Sequence, residues 1–487
     1  MAQKSLKKNA ILNICKTAAG LLFPLVTFPY VSRVLGPENV GKVNYASSIV
    51  QYFAIFAALG TATYGMREAA KVRDDAQKLN QLVKEVFVIN LLSTLASYAL
   101  FFMAVFLVPN FAGYRILLLV SCTSILFTTL GMDWVYNALE EYAYITVRSL
   151  CFLFVSLVLL FVFVRNRNDY IQYAAVTVIS SVGSNVLNFI HLRKKISFRG
   201  GSRMELKKHL KPVFILFATA VAISLYTILD TTMLGFISGD EETGYYSAAI
   251  KLNRIVISVI TAVGFVLRPR LSNYAETDKS AFDSLVRDTA NIYQLLCIPA
   301  VSALLFLSGP VILLFCGREY AAAVPVMRII TPVILFIAFG QFFSDQIFLP
   351  TRNDAFSFYP VLIAAVLNVC MNAVLIPRYG AMGAALATVI SEAVVCFVKL
   401  VLCARVMKGV LSLFNRLWQY VLSSLVMVTA LLLLRKFAGN GTASLLMLSV
   451  IAGAAVYALC LCAVRNEYAL RIVRAMAVRT KGANYGK

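Results

Sequence analysis

SLLMLSVIAGAAVYALCLCAV (Ser444–Val464) runs for twenty-one residues without one charged side chain. As a helix rising 1.5 Å per residue it reaches about 30 Å, the thickness of a bilayer's hydrocarbon core. Working outward from it, the chain breaks into about fourteen apolar runs of this kind, beginning at 9–35 and ending here, with short polar connectors between them. Across 487 residues, 60% are hydrophobic and 14% charged, against roughly 25% charged in an ordinary soluble domain. A water-soluble core cannot absorb that much apolar surface, so the expected fold class is an all-α polytopic membrane protein. The first run is too long for the h-region of a signal peptide and is expected to remain as the first helix.

The ten cysteines do not form a disulfide framework, because Cys15, Cys122, Cys151, Cys297, Cys370 and Cys396 all lie inside apolar runs and read as small hydrophobes. Cys460 and Cys462 are two residues apart, so they diverge around a helix, and no histidine cluster accompanies them. No metal site is expected. His191 and His209 flank a basic loop, where a solvated role is expected.

Lysine and arginine decide the orientation. Of the 45, 32 fall in or beside connectors on the side that carries both termini and 10 on the other. The positive-inside rule then places both termini in the cytoplasm, as a multi-pass protein of the bacterial cytoplasmic (inner) membrane. Attraction of these loops to anionic membrane lipids accounts for the net charge of +22 without a nucleic-acid partner.

Internal echoes suggest a duplication. TVIS at Thr177–Ser180 recurs at Thr388–Ser391, and Asp133 is matched by Asp345. Leu35-Gly36 is echoed by Leu234-Gly235, and Gly41 by Gly244. Each match joins a helix to the one six places later. The expected organisation is a six-helix bundle over 1–210, a second over 211–405, and two appended helices with a basic tail over 406–487.

Polar residues inside the apolar runs fall on helical faces. In the eighth run Ser247, Lys251, Arg254, Ser258 and Thr261 are spaced 4, 3, 4 and 3, a face that must avoid lipid. The first run offers Asn9, Asn13 and Lys16, the second Asn44, Ser47, Ser48 and Gln51, and the seventh Thr219, Tyr226, Thr227 and Asp230. The sixth has Ser181, Ser184, Asn185 and Asn188, and the eleventh Asn368 and Asn372. Such faces line a hydrated cavity or bond helix to helix, at about 0.6 kcal/mol per contact. Asp230 and Lys251 come to the same depth on adjacent antiparallel helices, as a structural ion pair or as a substrate or coupling site. Arg254 has no carboxylate partner in view and is assigned a functional role. Lys16 lies near the cytoplasmic end, within reach of a snorkelling position. Pro24 and Pro29 should bend the first helix. The sequence holds no phosphate loop, zinc motif or nucleophile–base set, so no catalysis and no bound cofactor is expected; coupling to an H+ or Na+ gradient stays open.

Four segments carry a family resemblance: FPYVSRVLGPENVGKVNYASSIVQYF (Phe28–Phe53), DWVYNALEEYAYITVRS (Asp133–Ser149), DTTMLGFISGDEETGYYSAAIKL (Asp230–Leu252) and RYGAMGAALATVISE (Arg378–Glu392). In order and spacing the chain resembles the polysaccharide transporters of the multidrug/oligosaccharidyl-lipid/polysaccharide exporter superfamily, in particular the flippases of O-antigen and capsule repeat units. The resemblance implies a MATE-like, V-shaped pair of six-helix bundles that alternates between inward-open and outward-open states. It implies an undecaprenyl-diphosphate-linked oligosaccharide as substrate, carried without enzymatic chemistry. Lys16, Lys251 and Arg254 would then offset the diphosphate charge, while Asn44, Gln51, Asn368 and Asn372 meet sugar hydroxyls. A polysaccharide polymerase and a chain-length regulator are the implied protein partners. A peptidoglycan-precursor lipid flippase needs the same anion site and remains an alternative. A drug/cation antiporter is disfavoured by the absence of Asp and Glu from the first helix, and a membrane glycan polymerase or ligase by the shortness of every outer connector.

Overall fold

The computed structural model describes residues 6–194, 196, 204–437 and 442–471, without the side chains of 6–17, 21, 222, 223, 225, 226, 435–437 and 442–445. The helices are α1 (Leu6–Ala58), α2 (Thr61–Lys71), α3 (Ala76–Leu107), α4 (Arg115–Gly131), α5 (Asp133–Ala138), α6 (Tyr142–Phe163), α7 (Tyr170–Val178) and α8 (Asn185–Leu192). They continue as α9 (Lys207–Ile237), α10 (Asp240–Thr277), α11 (Lys279–Cys316), α12 (Ala323–Ile330), α13 (Val333–Phe342), α14 (Ala355–Val406), α15 (Leu417–Phe437) and α16 (Thr442–Ala463). No strand occurs among the described residues.

Among the described residues eleven stretches are long and apolar enough to cross a membrane. Two of them bend at a glycine: α1 breaks at Gly36 (φ 73°) and α14 at Gly380 (φ 52°), so each supplies two crossing lengths. With the 31-residue α9, the described residues hold fourteen helical lengths able to span a bilayer, the number expected. Glycine, having no Cβ, takes such a φ at no steric cost, so these two positions are where a continuous helix can turn back. Pro37 follows Gly36 at the first position of the next length, where its missing N–H costs nothing. Elsewhere the ends are set by side chains: the Asp75 carboxylate accepts the N–H groups of Gln77 and Lys78, both at 3.1 Å, and caps α3.

The chain forms two compact units, Met1–Ser247 and Ala248–Lys487. This division falls later than the boundary expected at 210, because α9 packs along α1 and the first turns of α10 stay with it. In the first unit one core gathers Val83, Trp134, Val135, Tyr136 and Val213, and a second gathers Val43, Ile49, Phe101, Leu118 and Ile125. Gly65 lets α2 lie against the Trp134 ring, with a Cβ there only 2.7 Å from ring carbon. In the second unit α15 and α16 pack on α11 through Ile298, Tyr420, Met427, Leu431 and Tyr457. Outward-facing side chains are large and apolar, Leu95, Phe106, Phe154, Val259, Val266 and Leu459 among them. Lipid, not water, is the medium such a surface fits.

Candidate functional site

The polar faces expected from the sequence separate into exposed and buried sets. On α10, Ser247 is buried, Lys251, Ser258 and Thr261 are half-buried and Arg254 is exposed. Ser258 and Thr261 return their hydroxyls to the helix's own carbonyls, at Arg254 O (2.8 Å) and Ile257 O (3.0 Å). Arg254 is the exposed charge of this face. On the second length of α1, Ser47 and Gln51 are exposed and Asn44 is half-buried with an unpartnered Nδ2, whereas Ser48 is consumed by packing. Its hydroxyl accepts from Thr232 of α9 at 2.9 Å. Lys16 lies outside the described side chains, as do Asn9, Asn13 and Tyr226.

Asp230 is 6% exposed and accepts the Tyr246 hydroxyl at 2.8 Å. Lys251 falls in the second unit, and its pairing with Asp230 stays an expectation. Asn368 and Asn372 are buried, and the Asn372 amide donates to Asn368 Oδ1 at 3.0 Å. One helical turn apart, they bond along the face of α14.

The sixth-run asparagines belong to a polar network in the first unit. Asn188 of α8 donates its amide to Gly131 O at 2.9 Å and to the Asp133 carboxylate. Arg148 of α6, 4% exposed in its side chain, reaches the same carboxylate at 3.2 Å. The Tyr136 hydroxyl donates to Asn188 O at 2.8 Å, and His191 stacks on Tyr136. Asp133 can collect these donors because Met132 takes a left-handed φ of 44°, which ends α4 and starts α5. Beside it lies a cavity of about 100 Å³ lined by Thr61, Asn90, Thr129, Asp133 and Asn185, large enough for a few waters but not for a sugar.

The solvated role expected for His209 is corrected. It is 2% exposed, with Nε2 at 2.7 Å from Glu85 Oε2 and Nδ1 at 2.7 Å from the Tyr64 hydroxyl. Glu85 also accepts Gln81 Nε2 and the Glu205 N–H, so α2, α3 and the start of α9 are tied by one buried carboxylate. This is what fixes the end of α9 in the first unit. A buried carboxylate fully supplied with donors is the arrangement that avoids a desolvation penalty.

The second unit carries a cluster that the sequence reading did not assign to any site. The helix after α13 widens into a π turn over Phe343–Phe348, which presents Asp345 to Arg268 of α10 at 2.6 Å. Lys399 of α14, 6% exposed, donates to Ser344 Oγ at 2.8 Å and to Gly340 O at 3.2 Å. Gln346 is fully buried with neither amide atom partnered, and Arg268 Nε is also unpartnered. Gly264 makes room here: a Cβ would overlap the Tyr293 hydroxyl and come within 2.6 Å of Gln346 Nε2. Further along the unit, α11, α15 and α16 frame an apolar groove of about 400 Å³ lined by Leu296, Pro299, Met427, Leu431, Gly453 and Tyr457, suited to hydrocarbon and not to sugar or phosphate. Among the described residues no group of three or more His, Cys, Asp or Glu side chains gathers at metal-binding distance.

The polysaccharide biosynthesis protein family matches residues 6–275, more than half of the chain. A protein of Escherichia coli (strain K12) provisionally named an O-antigen transporter is 26% identical over 405 residues, covering 80% of this chain and 95% of that one. The capsular polysaccharide biosynthesis protein CapF of Staphylococcus aureus is 24% identical over 394 residues, covering 78% and 94%. Among solved structures, the lipid II flippase MurJ in an inward closed conformation superposes with a TM-score of 0.74 at 16% identity, over 93% of this chain and 97% of that one. An inward-facing multidrug resistance MATE family transporter of the MOP superfamily gives 0.60 at 15% identity, over 82% and 95%. At these identities the structural likeness speaks for the fold.

Proposed function

Because the chain belongs to the polysaccharide biosynthesis protein family, we propose that it is a transporter that carries lipid-linked oligosaccharide across the membrane in which it is embedded. The observation that carries this reading is the cation pair on α10. Arg254 stands fourteen residues past the start of the helix at Asp240, about 21 Å along its axis. It is exposed there, one turn from Lys251 and with apolar Val259 nearby on the same helix. A charge at such a depth costs about 2.5–3.5 kcal/mol even on insertion scales, so it is kept where an anionic partner or water meets it.

The partner we propose is the diphosphate of an undecaprenyl-diphosphate-linked repeat unit of O-antigen, capsule or exopolysaccharide. Arginine's planar fork donates two parallel hydrogen bonds to phosphate oxygens, and Lys251 adds a point charge. Exposed Gln51 and half-buried Asn44 offer amides of the kind that hydrogen-bond sugar hydroxyls. Movement by alternating access, driven by an H+ or Na+ gradient, in a bacterial cytoplasmic membrane with both termini inside, completes the proposal. The names of the relatives, an O-antigen transporter and a capsular polysaccharide protein, support the substrate class. A polymerase and a chain-length regulator are the partners that would receive the product.

Complementation of a strain lacking its repeat-unit flippase tests the reading. Arg254→Ala should abolish or sharply reduce surface glycan at an unchanged level of membrane protein, and Arg254→Lys should retain an intermediate amount. Full surface glycan with Arg254→Ala at equal expression would remove the anion site from the proposal.

A further inference from the structure

Lys399 is a buried ammonium without a carboxylate at bonding distance among the described residues. Asp345, the carboxylate of the π turn, is held by Arg268 at 2.6 Å, while the hydrogen-bond acceptors of Lys399 among the described residues are neutral, Ser344 Oγ and Gly340 O. Its own helix surrounds it with Val395, Cys396 and Cys403, and places Glu392 two turns away. The charged and titratable groups around it are thus Asp345 on the π turn, Arg268 on α10, Tyr293 on α11, and Glu392, Cys396 and Cys403 on α14 itself. A lone buried ammonium is expensive, and the amine is a group that can give up its charge by losing one proton.

Of the two acceptors of Lys399, Gly340 lies in the helical turn that leads into the π turn and Ser344 within the π turn itself. Ser344 donates its own hydroxyl to Gly340 O at 3.1 Å, so this carbonyl receives a lysine N–H and a serine O–H together. A π turn within a membrane-crossing helix is a marginal conformation that needs such side-chain support, and it tends to occur where a protein works. The unpartnered amide of Gln346 inside the same turn is a second departure from a settled core.

We propose that Lys399 binds and releases a proton during the transport cycle, and that this proton holds the π turn which presents Asp345 to Arg268. Charged, the ammonium donates to Ser344 and Gly340 as the structure records. Neutral, the amine keeps two N–H groups and gains a lone pair. The Ser344 hydroxyl then rotates to donate to that lone pair and leaves Gly340 O with a single weaker donor. The turn loses its support, and the Asp345–Arg268 bridge shifts with it. One proton leaves Lys399 for water, no other covalent bond is made or broken, and the Ser344 hydrogen bond moves from Gly340 O to the amine. The inference deepens the transporter reading by locating a coupling proton in the second unit, and it rests on that reading for its role in transport.

Hydrogen–deuterium exchange of the purified full chain in lipid nanodiscs, followed from neutral to alkaline pH and corrected for intrinsic exchange, reads the turn without any substrate. Residues 340–348 of the parent should show a step to faster exchange as pH rises. Lys399→Met should remove the step and exchange fast throughout, Lys399→Arg should stay slow throughout, and Ser344→Ala should shift the step while leaving the lysine in place. An unchanged step in Lys399→Met, or no step in the parent, overturns the proton site. In complementation, both Lys399→Met and Lys399→Arg should lose surface glycan at normal membrane levels; full glycan with both overturns the coupling role. If the parent chain itself restores no glycan in any flippase-deficient strain, the transport reading fails, whereas the exchange step still decides the proton site.

Discussion

Gly41 and Gly244 each leave room for the backbone of the other's segment: a Cβ on Gly41 would overlap Asp240 O, and a Cβ on Gly244 would overlap Pro37 O. The relation is reciprocal, since Pro37 precedes Gly41 by the same four residues as Asp240 precedes Gly244. Tyr114 fastens the contact, with its hydroxyl 2.7 Å from both oxygens of Asp240.

Alanine at either glycine should therefore drive the backbones apart. Each of Gly41→Ala and Gly244→Ala is expected to cost about 1–3 kcal/mol by overpacking, and the double variant less than the sum because both act on one contact. Gly20→Ala, where nothing lies within 4 Å, serves as the control and should match the parent. Apparent thermal stability of the purified protein measures all four. A Gly41→Ala variant as stable as the parent would show that the segments do not meet as described.

The Asp133–Arg148 pair should behave as a unit. Arg148→Met leaves the carboxylate to Asn188, and Asp133→Asn strands a guanidinium that already has Nε and Nη1 unpartnered. A double-mutant cycle on thermal stability should give a coupling of about 1 kcal/mol, with the double variant recovering part of either single loss. Additive losses would mean that the bridge contributes nothing beyond its neighbours.

Orientation follows from the basic asymmetry and is open to direct labelling. With native cysteines replaced, a cysteine at exposed Lys194 should resist a membrane-impermeant thiol reagent in intact cells, and one at exposed Asn110 should react. The reverse pattern would invert the topology, and with it the direction proposed for transport.

Asp230 and Lys251 offer a second charge cycle. Asp230→Asn and Lys251→Gln should each impair surface glycan or membrane level, and the double neutral variant should recover part of the loss if the two form a pair. Tyr246→Phe, which removes the hydroxyl donor to Asp230, should give a milder defect of the same kind. Independent defects in the double variant would assign the two charges to separate tasks.

The fold was legible because lipid imposes a single length rule, and runs such as 444–464 obey it. Glycine kinks were not: Gly36 and Gly380 keep two crossings inside one helix, and only their φ angles reveal the turn. Gly41 and Gly244 were matched in the sequence, and Gly36 and Gly239, each five residues earlier, share a positive φ (73° and 89°). The motif G-x-E-x-x-G, present as GPENVG at 36–41 and GDEETG at 239–244, would have shown this second pairing. Arg148, Arg268 and Lys399 escaped notice for a different reason. They lie near connectors and were counted as loop cations, although Arg148 and Lys399 are each 6% exposed. Burial of a cation near a helix end leaves no mark in sequence; here the trace was the carboxylate pair Asp133 and Asp345, both held by an arginine.

The glycine contact has one more consequence. A surface in which residue i meets j and the equivalent of j meets the equivalent of i is isologous, the kind that forms across a two-fold axis between identical subunits. In the present chain the junction is intramolecular, so its local concentration does not depend on how much protein is made. Neither glycine can acquire a side chain alone, because each lies against the backbone of the other's segment.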